Sequence, residues 1–262
     1  MIFLEMMMMN DPISKAKWVL ASKEISGVPA QSLGLIADSE GIKRISKDYP
    51  DDVWDGALIY KGKKRAIIIN EHRGSTQRHN FTFAHELGHY FLEHAPTHDE
   101  NGKRQIRCTA QDIAKGSKRI EAEANHFAVE LLMPEERFRL SMAGAAMDFA
   151  LINGLATEYQ VSKEACAYRI LEFIREPCAV IFTKDGAHVR SMKTSRAGKG
   201  LLPQLQELPE ESIAYSTIQD NRWQQNFEEC LSRLWLTKQQ DCSVYSCTRG
   251  NFNHAMTILR WS

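Results

Sequence analysis

The stretch His85-Glu86-Leu87-Gly88-His89 decides how this chain is interpreted. Two histidines four residues apart lie on one face of a helix, one turn apart, so their imidazoles can bind a single metal ion. Glu86 points about 100° away around the same helix and can reach a water molecule beside the metal without binding the metal itself. This spacing is typical of a zinc peptidase, which needs metal ligands and a general base close together.

The residues around the motif are mostly apolar, which favours a buried helix: Phe81, Phe83, Ala84, Leu87, Gly88, Tyr90, Phe91 and Leu92. Histidines and a glutamate on such a helix need partners, because an unpaired buried polar group costs about 1–3 kcal/mol. One metal ion satisfies all three. Gly88 costs about 1 kcal/mol in helix propensity, which indicates that another backbone or a substrate passes close to it. The alternative is an exposed helical turn with surface histidines.

Catalytic zinc usually has three protein ligands, so a third ligand must come from another segment. The best candidate is the helix-compatible segment 119–134, which Pro134 ends. Glu121 and Asn125 are four residues apart and share a face, so Glu121 can bind the metal while Asn125 supports a histidine. Glu123 lies on the opposite side of that helix and is expected to face solvent or Arg119.

The segments Phe81-Thr82-Phe83-Ala84-His85-Glu86-Leu87-Gly88-His89-Tyr90, Glu121-Ala122-Glu123-Ala124-Asn125-His126-Phe127-Ala128 and Leu131-Leu132-Met133-Pro134 resemble the ImmA/IrrE family of metallopeptidases. The resemblance extends over roughly residues 15–175. It implies zinc bound by His85, His89 and a glutamate of the second segment, with Glu86 as the general base. By analogy with related sites, we assign Glu121 as the ligand and keep Glu123 as the second choice. The same ligands also accept Mn²⁺ or Fe²⁺.

The family resemblance also implies a substrate. Members cleave a partner transcriptional repressor, in stress responses or in the control of mobile elements, so we expect limited proteolysis of a helix-turn-helix repressor. The first alternative is a regulatory protein that keeps the fold and the metal without cleaving, and the second is a DNA-binding regulator. A further oxyanion donor is usual in such sites. The candidates are Tyr90, His94, His126 and Arg78, and His94 is expected to lie at the surface.

Composition narrows the possible partners. The chain has 262 residues, 43% hydrophobic and 25% charged, with 33 basic and 33 acidic side chains and a formal net charge of 0. No global basic field is present to attract nucleic acid or an anionic membrane. There is no run of eighteen apolar residues and no signal-peptide pattern in residues 1–9, so we expect a cytoplasmic protein. The six cysteines follow no framework pattern and are expected to be reduced.

The pattern of elements predicts an α+β protein. Its parts are a flexible tail (1–12), a mainly helical zincin-like core with a small β-sheet (13–142), a helix-turn-helix-like subdomain (143–176) and a small α+β C-terminal domain (177–262). The last is interpreted as a sensor or regulatory module. Predicted helices cover 11–26, 29–39, 75–94 and the helix-turn-helix 155–170; predicted strands cover 42–46, 56–60, 65–70, 178–183, 187–192, 243–248 and 255–261.

Two further expectations concern binding. Extended peptides bind such peptidases by adding a strand to a sheet edge, so one of the first three strands is expected to border the cleft. The polar stretch 95–117 is interpreted either as a substrate loop or lid, or as a flexible insertion. In the helix-turn-helix segment the basic residues are balanced by acidic ones (Lys163, Arg169 and Arg175 against Glu158, Glu164 and Glu172), which argues against direct nucleic-acid binding.

Overall fold

The computed structural model describes residues 11–50, 54–72, 74–98, 104–109, 119–194, 207–224, 226–235, 243–250 and 253–261. The chain divides into two compact units. The first comprises Met1–Ser141 with Leu155–Ala165, and the second comprises Met142–Gly154 with Cys166–Ser262. The fold is α+β, as the sequence predicts. The domain boundaries drawn from the sequence remain a prediction, and residues 1–10 of the predicted tail lie outside the described residues.

Two short helices open the first unit, α1 (Pro12–Ser22) and α2 (Pro29–Ser39). Each begins at a proline, whose fixed φ suits the first helical turn and whose missing N–H would have no partner there. The carboxylate of Asp11 caps α1 by accepting a hydrogen bond from the backbone N–H of Ser14 (2.8 Å). Both helices therefore begin at a proline, and α1 also has a side-chain cap.

The first unit contains a sheet of five described strands in the order β1-β3-β2-β5-β4. Their bounds are β1 Ile42–Lys47, β2 Trp54–Lys61, β3 Lys64–Asn70, β4 Thr97–His98 and β5 Arg104–Thr109. β1 runs parallel to β3, and the other pairs are antiparallel. The first three strands lie where the sequence predicts them. The last two belong to the polar stretch 95–117, so part of that stretch is sheet.

The helix of the H-E-x-x-H motif is α3 (Thr76–Phe91), and the helix of the second motif is α4 (Arg119–Leu132). The hydroxyl of Ser75 caps α3 by accepting a hydrogen bond from the N–H of Arg78. The two helices pack closely: a Cβ on Gly88 would lie 3.1 Å from both Cα and O of Ala124. A small residue at Gly88 is therefore needed for α4 to approach α3 this closely.

This close approach predicts opposite effects for two glycine substitutions. Gly34→Ala in α2, where a Cβ meets nothing within 4 Å, should raise the free energy of unfolding by about 0.5–1 kcal/mol through helix propensity. Gly88→Ala gains the same propensity but should lower that free energy, because overpacking typically costs about 1–3 kcal/mol. Urea denaturation of the metal-free full chain measures both. Equal stabilisation by the two variants would contradict the close packing.

Three helices follow α4: α5 (Glu135–Ser141), α6 (Phe149–Tyr159) and α7 (Lys163–Phe173). A three-residue turn joins the last two, as the helix-turn-helix pattern predicts. The hydroxyl of Ser162 accepts a hydrogen bond from the N–H of Ala165 (3.1 Å), and Val161 is buried in the turn. The side chain of Arg169 is also buried and pairs with Glu172 (2.6 Å).

The second unit contains an antiparallel sheet of five described strands in the order β7-β6-β10-β9-β8. Their bounds are β6 Cys178–Lys184, β7 Ala187–Lys193, β8 Glu228–Cys230, β9 Val244–Gly250 and β10 Ala255–Trp261. A helix, α8 (Ile213–Gln219), and a 3-10 turn (Ser232–Leu234) complete the described elements. The apolar core of the second unit includes Trp235, Val244 and Leu259. No helix among the described residues has the length and hydrophobicity needed to cross a bilayer.

Candidate metal centre

Three side chains from α3 and α4 converge at one point in the first unit. Nε2 of His85 lies 3.0 Å from Nε2 of His89 and 3.2 Å from Oε2 of Glu121, and Nε2 of His89 lies 3.6 Å from the same oxygen. Both histidines are fully buried, and Glu121 is 4% exposed. In the described part of the chain, this cluster has the geometry to hold a metal ion.

The donor set fits a zinc ion. Zinc binds imidazole nitrogen and carboxylate oxygen at about 2.0–2.2 Å in a tetrahedral arrangement, so neighbouring ligand atoms lie about 3.3–3.6 Å apart. The three separations in this cluster, 3.0, 3.2 and 3.6 Å, are close to that range. Two histidines and one carboxylate leave the fourth position of a tetrahedron open, which is the composition of a catalytic site.

A hydrogen bond on the far side of His85 fixes the atom that this ring presents to the cluster. Nδ1 of His85 lies 3.0 Å from Oδ1 of Asn125, so the ring donates from Nδ1. A neutral imidazole then carries a lone pair at Nε2, directed at His89 and Glu121. Such lone pairs and a carboxylate oxygen repel one another and are stabilised by a cation among them.

His89 is anchored on its far side in a different way. Its Nδ1 lies 2.8 Å from Nδ1 of His94, and Nε2 of His94 lies 3.2 Å from Oε2 of Glu123. Nε of Arg119 donates to the other oxygen of Glu123 (2.7 Å). A continuous series of contacts therefore connects the cluster of His85, His89 and Glu121 to the exposed side of α4.

Burial sets the protonation states of these histidines. It lowers the pKa of His89 below the ordinary value, and the hydrogen bond with Glu121 offsets this only in part. Burial also lowers the pKa of His94, and the neighbouring His89 lowers it further. Both rings are thus held neutral near pH 7, and neutral imidazole is the form that binds a metal.

Glu86 lies on α3 beside the cluster without belonging to it. Its side chain is fully buried. The Cβ position of Gly56 on β2 is 3.0 Å from Oε1 of Glu86 and 2.5 Å from Cγ2 of Thr82. Only a glycine therefore fits at this point of the strand, and Gly56 leaves room for the carboxylate between helix and sheet.

The remaining candidates from the sequence have other partners or are exposed. Glu123 faces Arg119 and His94 and is not one of the three clustered groups. Tyr90 donates to Glu40 (3.2 Å), Arg78 donates to Asp55 (2.8 Å), and His126 is exposed.

The expectation that His94 lies at the surface is wrong, because this residue is 8% exposed and contacts His89. The cause is the end of α3. Glu93 has a positive φ of 55°, and the N–H of His94 donates to the carbonyl of His89 (3.0 Å). This left-handed C-terminal turn folds the chain back over the last helical turn. A glycine usually marks such a turn, and a glutamate in its place gives no sequence signal.

The fold and the site define a metallopeptidase-like domain of the H-E-x-x-H class. The family model described as IrrE N-terminal-like domain, Peptidase_M78, matches residues 38–171, about half of the chain. The chain belongs to this family, as its resemblance to ImmA/IrrE proteins predicts.

Comparison with solved structures identifies a similar fold in a Mycobacterium tuberculosis transcriptional regulator. It has 15% sequence identity and a TM-score of 0.57, over 95% of this chain and 76% of that one. A comparison with curated protein sequences gives no significant match.

Proposed function

We propose that this protein is a zinc-dependent endopeptidase that performs limited proteolysis. The observation that carries the proposal is the convergence of His85, His89 and Glu121 beside the buried carboxylate of Glu86. We assign the first three as metal ligands and Glu86 as the general base. A carboxylate at this position can accept a proton from water beside the metal, which is the role of a general base.

A zinc ion bound at this cluster would supply Lewis acidity, lowering the pKa of a water molecule and polarising the carbonyl of the scissile peptide. The protein's own groups do the remaining work. Glu86 accepts the proton of the attacking water and delivers it to the amine that leaves. Asn125 holds the ring of His85 in the orientation that directs Nε2 at the metal. Gly56 keeps the strand at the distance that Glu86 requires.

The sheet suggests where an extended substrate would bind. The sequence predicts that one of the first three strands borders the cleft. β2 lies beside Glu86, but both of its edges are paired, with β3 and β5. β4 pairs only with Arg104 and Gln105 of β5. None of the described strands pairs with residues 106–109 on the outer edge of β5, the side away from β2. Cys108 of β5 pairs with Gly56, which lies beside Glu86. We therefore propose that an extended substrate pairs with the outer edge of β5 and adds a strand to the sheet.

The proposed substrate is a helix-turn-helix repressor that acts in a stress response or in mobile-element control. The support is membership of the ImmA/IrrE family. The test incubates the purified full chain with repressors encoded beside its gene, with zinc and with a chelator, and locates the cut by mass spectrometry. We expect a single cut or a few cuts, only with metal. Cleavage that persists in the chelator would exclude the proposal.

The alternative is a regulatory protein that does not cleave. The M. tuberculosis protein of similar fold is named a transcriptional regulator. An intact Glu86 argues against it, because a binding module does not need a general base. A DNA-binding role for the helix-turn-helix is disfavoured by Arg169, whose guanidinium is buried against Glu172 and cannot contact a phosphate. Salt-sensitive duplex binding by the full chain would favour the DNA-binding alternative.

The contact between Gly56 and Glu86 leads to a prediction about the base. Gly56→Ala places a Cβ 2.5 Å from Cγ2 of Thr82 and 3.0 Å from Oε1 of Glu86, so Thr82 must shift and the carboxylate must give slightly. We expect the cleavage rate to fall by less than about 100-fold, the cost of a full misplacement of about 1 Å, while zinc affinity changes little. Steady-state cleavage and zinc titration of the same preparation measure the two effects. A Gly56→Ala variant with full activity would contradict the placement of Glu86.

A further inference from the structure

We infer that His94 and Glu123 form a hydrogen-bond chain that fixes His89 as an Nε2 metal ligand and so raises the affinity of the site for zinc. The inference rests on the proposed function, because it concerns the same metal. It assigns both residues as positioning residues. Neither touches the metal position. Glu123 acts through the ring of His94, and His94 acts through the ring of His89.

The direction of each hydrogen bond follows from the groups at the two ends. A carboxylate only accepts, so Nε2 of His94 donates to Oε2 of Glu123 (3.2 Å). A neutral ring has one N–H, so Nδ1 of His94 is then an acceptor. It accepts from Nδ1 of His89 (2.8 Å). The proton of His89 is therefore held at Nδ1, and the lone pair at Nε2 is directed at His85 and Glu121.

Burial strengthens the hydrogen bonds that join His89, His94 and Glu123. His89 is fully buried and His94 is 8% exposed, so little water competes for either ring. In such surroundings hydrogen bonds are stronger and polarise one another. The negative charge of Glu123 makes His94 a better acceptor, which in turn makes His89 a better electron donor to a cation. The two rings form a T-shaped pair, inclined at 69° with centroids 4.9 Å apart.

The same helix supports both histidine ligands. α4 supplies Glu121 to the cluster, Asn125 to Nδ1 of His85 and, through His94, Glu123 to Nδ1 of His89. Every polar member of the Glu-Ala-Glu-Ala-Asn block thus contacts the site or its supports. The left-handed turn at Glu93 is the feature that brings His94 into this arrangement.

The hydrogen-bond chain is tested directly by the zinc affinity of the metal-free full-length protein, measured by competition with a chromogenic chelator. Loss of a partner that orients a metal-bound histidine typically weakens binding 10- to 100-fold. We expect an increase of about 10- to 100-fold in the Kd for His94→Ala, and a smaller one of about 3- to 10-fold for Glu123→Gln. Because Glu123 acts through His94, the double variant should bind no more weakly than His94→Ala alone.

Arg119→Ala is the matched control. It removes the other partner of Glu123, an arginine whose side chain is 90% exposed, and should change the Kd by less than about twofold. Melting of each metal-free variant reports whether the fold is retained, and Glu123→Gln, at a partly exposed position, keeps the test valid if His94→Ala does not fold.

Several results would overturn the inference. One is additive effects of the two substitutions. Another is an unchanged Kd in folded variants, and a third is an equal effect of Arg119→Ala. If the unsubstituted chain does not bind zinc, the proposed function fails as well. If it binds zinc and the variants match it, the inference fails alone.

Discussion

Glu86→Gln should abolish metal-dependent cleavage while leaving the zinc affinity nearly unchanged. The amide has the size of the carboxylate, so the packing against Gly56 is preserved. An amide cannot accept a proton near neutral pH, and a positioned general base typically contributes about 100- to 10,000-fold in rate. We therefore expect a fall of that size in the rate of repressor cleavage. The two measurements, cleavage rate and zinc Kd, separate loss of the base from loss of the metal.

Glu136→Gln is a suitable control for this substitution, because it makes the same chemical change at an exposed position on α5. Its cleavage rate and zinc affinity should match those of the unsubstituted chain. An active Glu86→Gln variant would exclude the proposed mechanism. A variant that had lost zinc instead would indicate that Glu86 binds the ion, contrary to the composition of the cluster.

Glu121→Gln should have the largest effect on zinc binding of any glutamate substitution in α4. The carboxylate contributes the oxygen of the cluster, 3.2 Å from His85 and 3.6 Å from His89. An amide supplies no negative charge to offset a divalent cation. We expect the Kd for zinc to rise by more than about 100-fold, beyond the usual effect of losing an outer hydrogen-bond partner. Cleavage at a fixed low zinc concentration should be lost in parallel.

Comparison with Glu123→Gln makes this result specific. Both variants replace a carboxylate by an amide on α4, two residues apart. Only Glu121 is in the cluster, so Glu121→Gln should weaken zinc binding at least about tenfold more than Glu123→Gln. The reverse order would show that Glu123 is the ligand, and the assignment of Glu121 would then be wrong.

The sequence was sufficient to predict the parts of the site that depend on helix geometry. The spacing of His85 and His89 predicts a shared face, and the structure brings their Nε2 atoms to 3.0 Å. The spacing of Glu121 and Asn125 predicts one face of α4, and both contact His85. Gly88 predicts a close approach of another backbone, and Ala124 provides it. In the first two cases the spacing within one helical turn carries the information, and in the third the helix propensity of glycine carries it.

Features that depend on tertiary structure were less predictable. His94 is five residues after His89, off the ligand face by helical periodicity, and reaches the site only because Glu93 adopts a left-handed conformation. β5 pairs with β2 through its backbone. Its sequence, Arg104-Gln105-Ile106-Arg107-Cys108-Thr109, is polar enough to resemble a loop. Backbone pairing and the reversal of a helix end both depend on partners distant in the sequence, which local propensity does not encode.

Anomalous X-ray diffraction at the zinc edge, on crystals of the full chain loaded with one equivalent of zinc, is the most direct test of the metal centre. We expect one strong peak, about 2.0–2.2 Å from Nε2 of His85, Nε2 of His89 and a carboxylate oxygen of Glu121, with Glu86 outside the coordination sphere. A peak elsewhere in the molecule, or no ordered zinc at this cluster, would contradict the central claim.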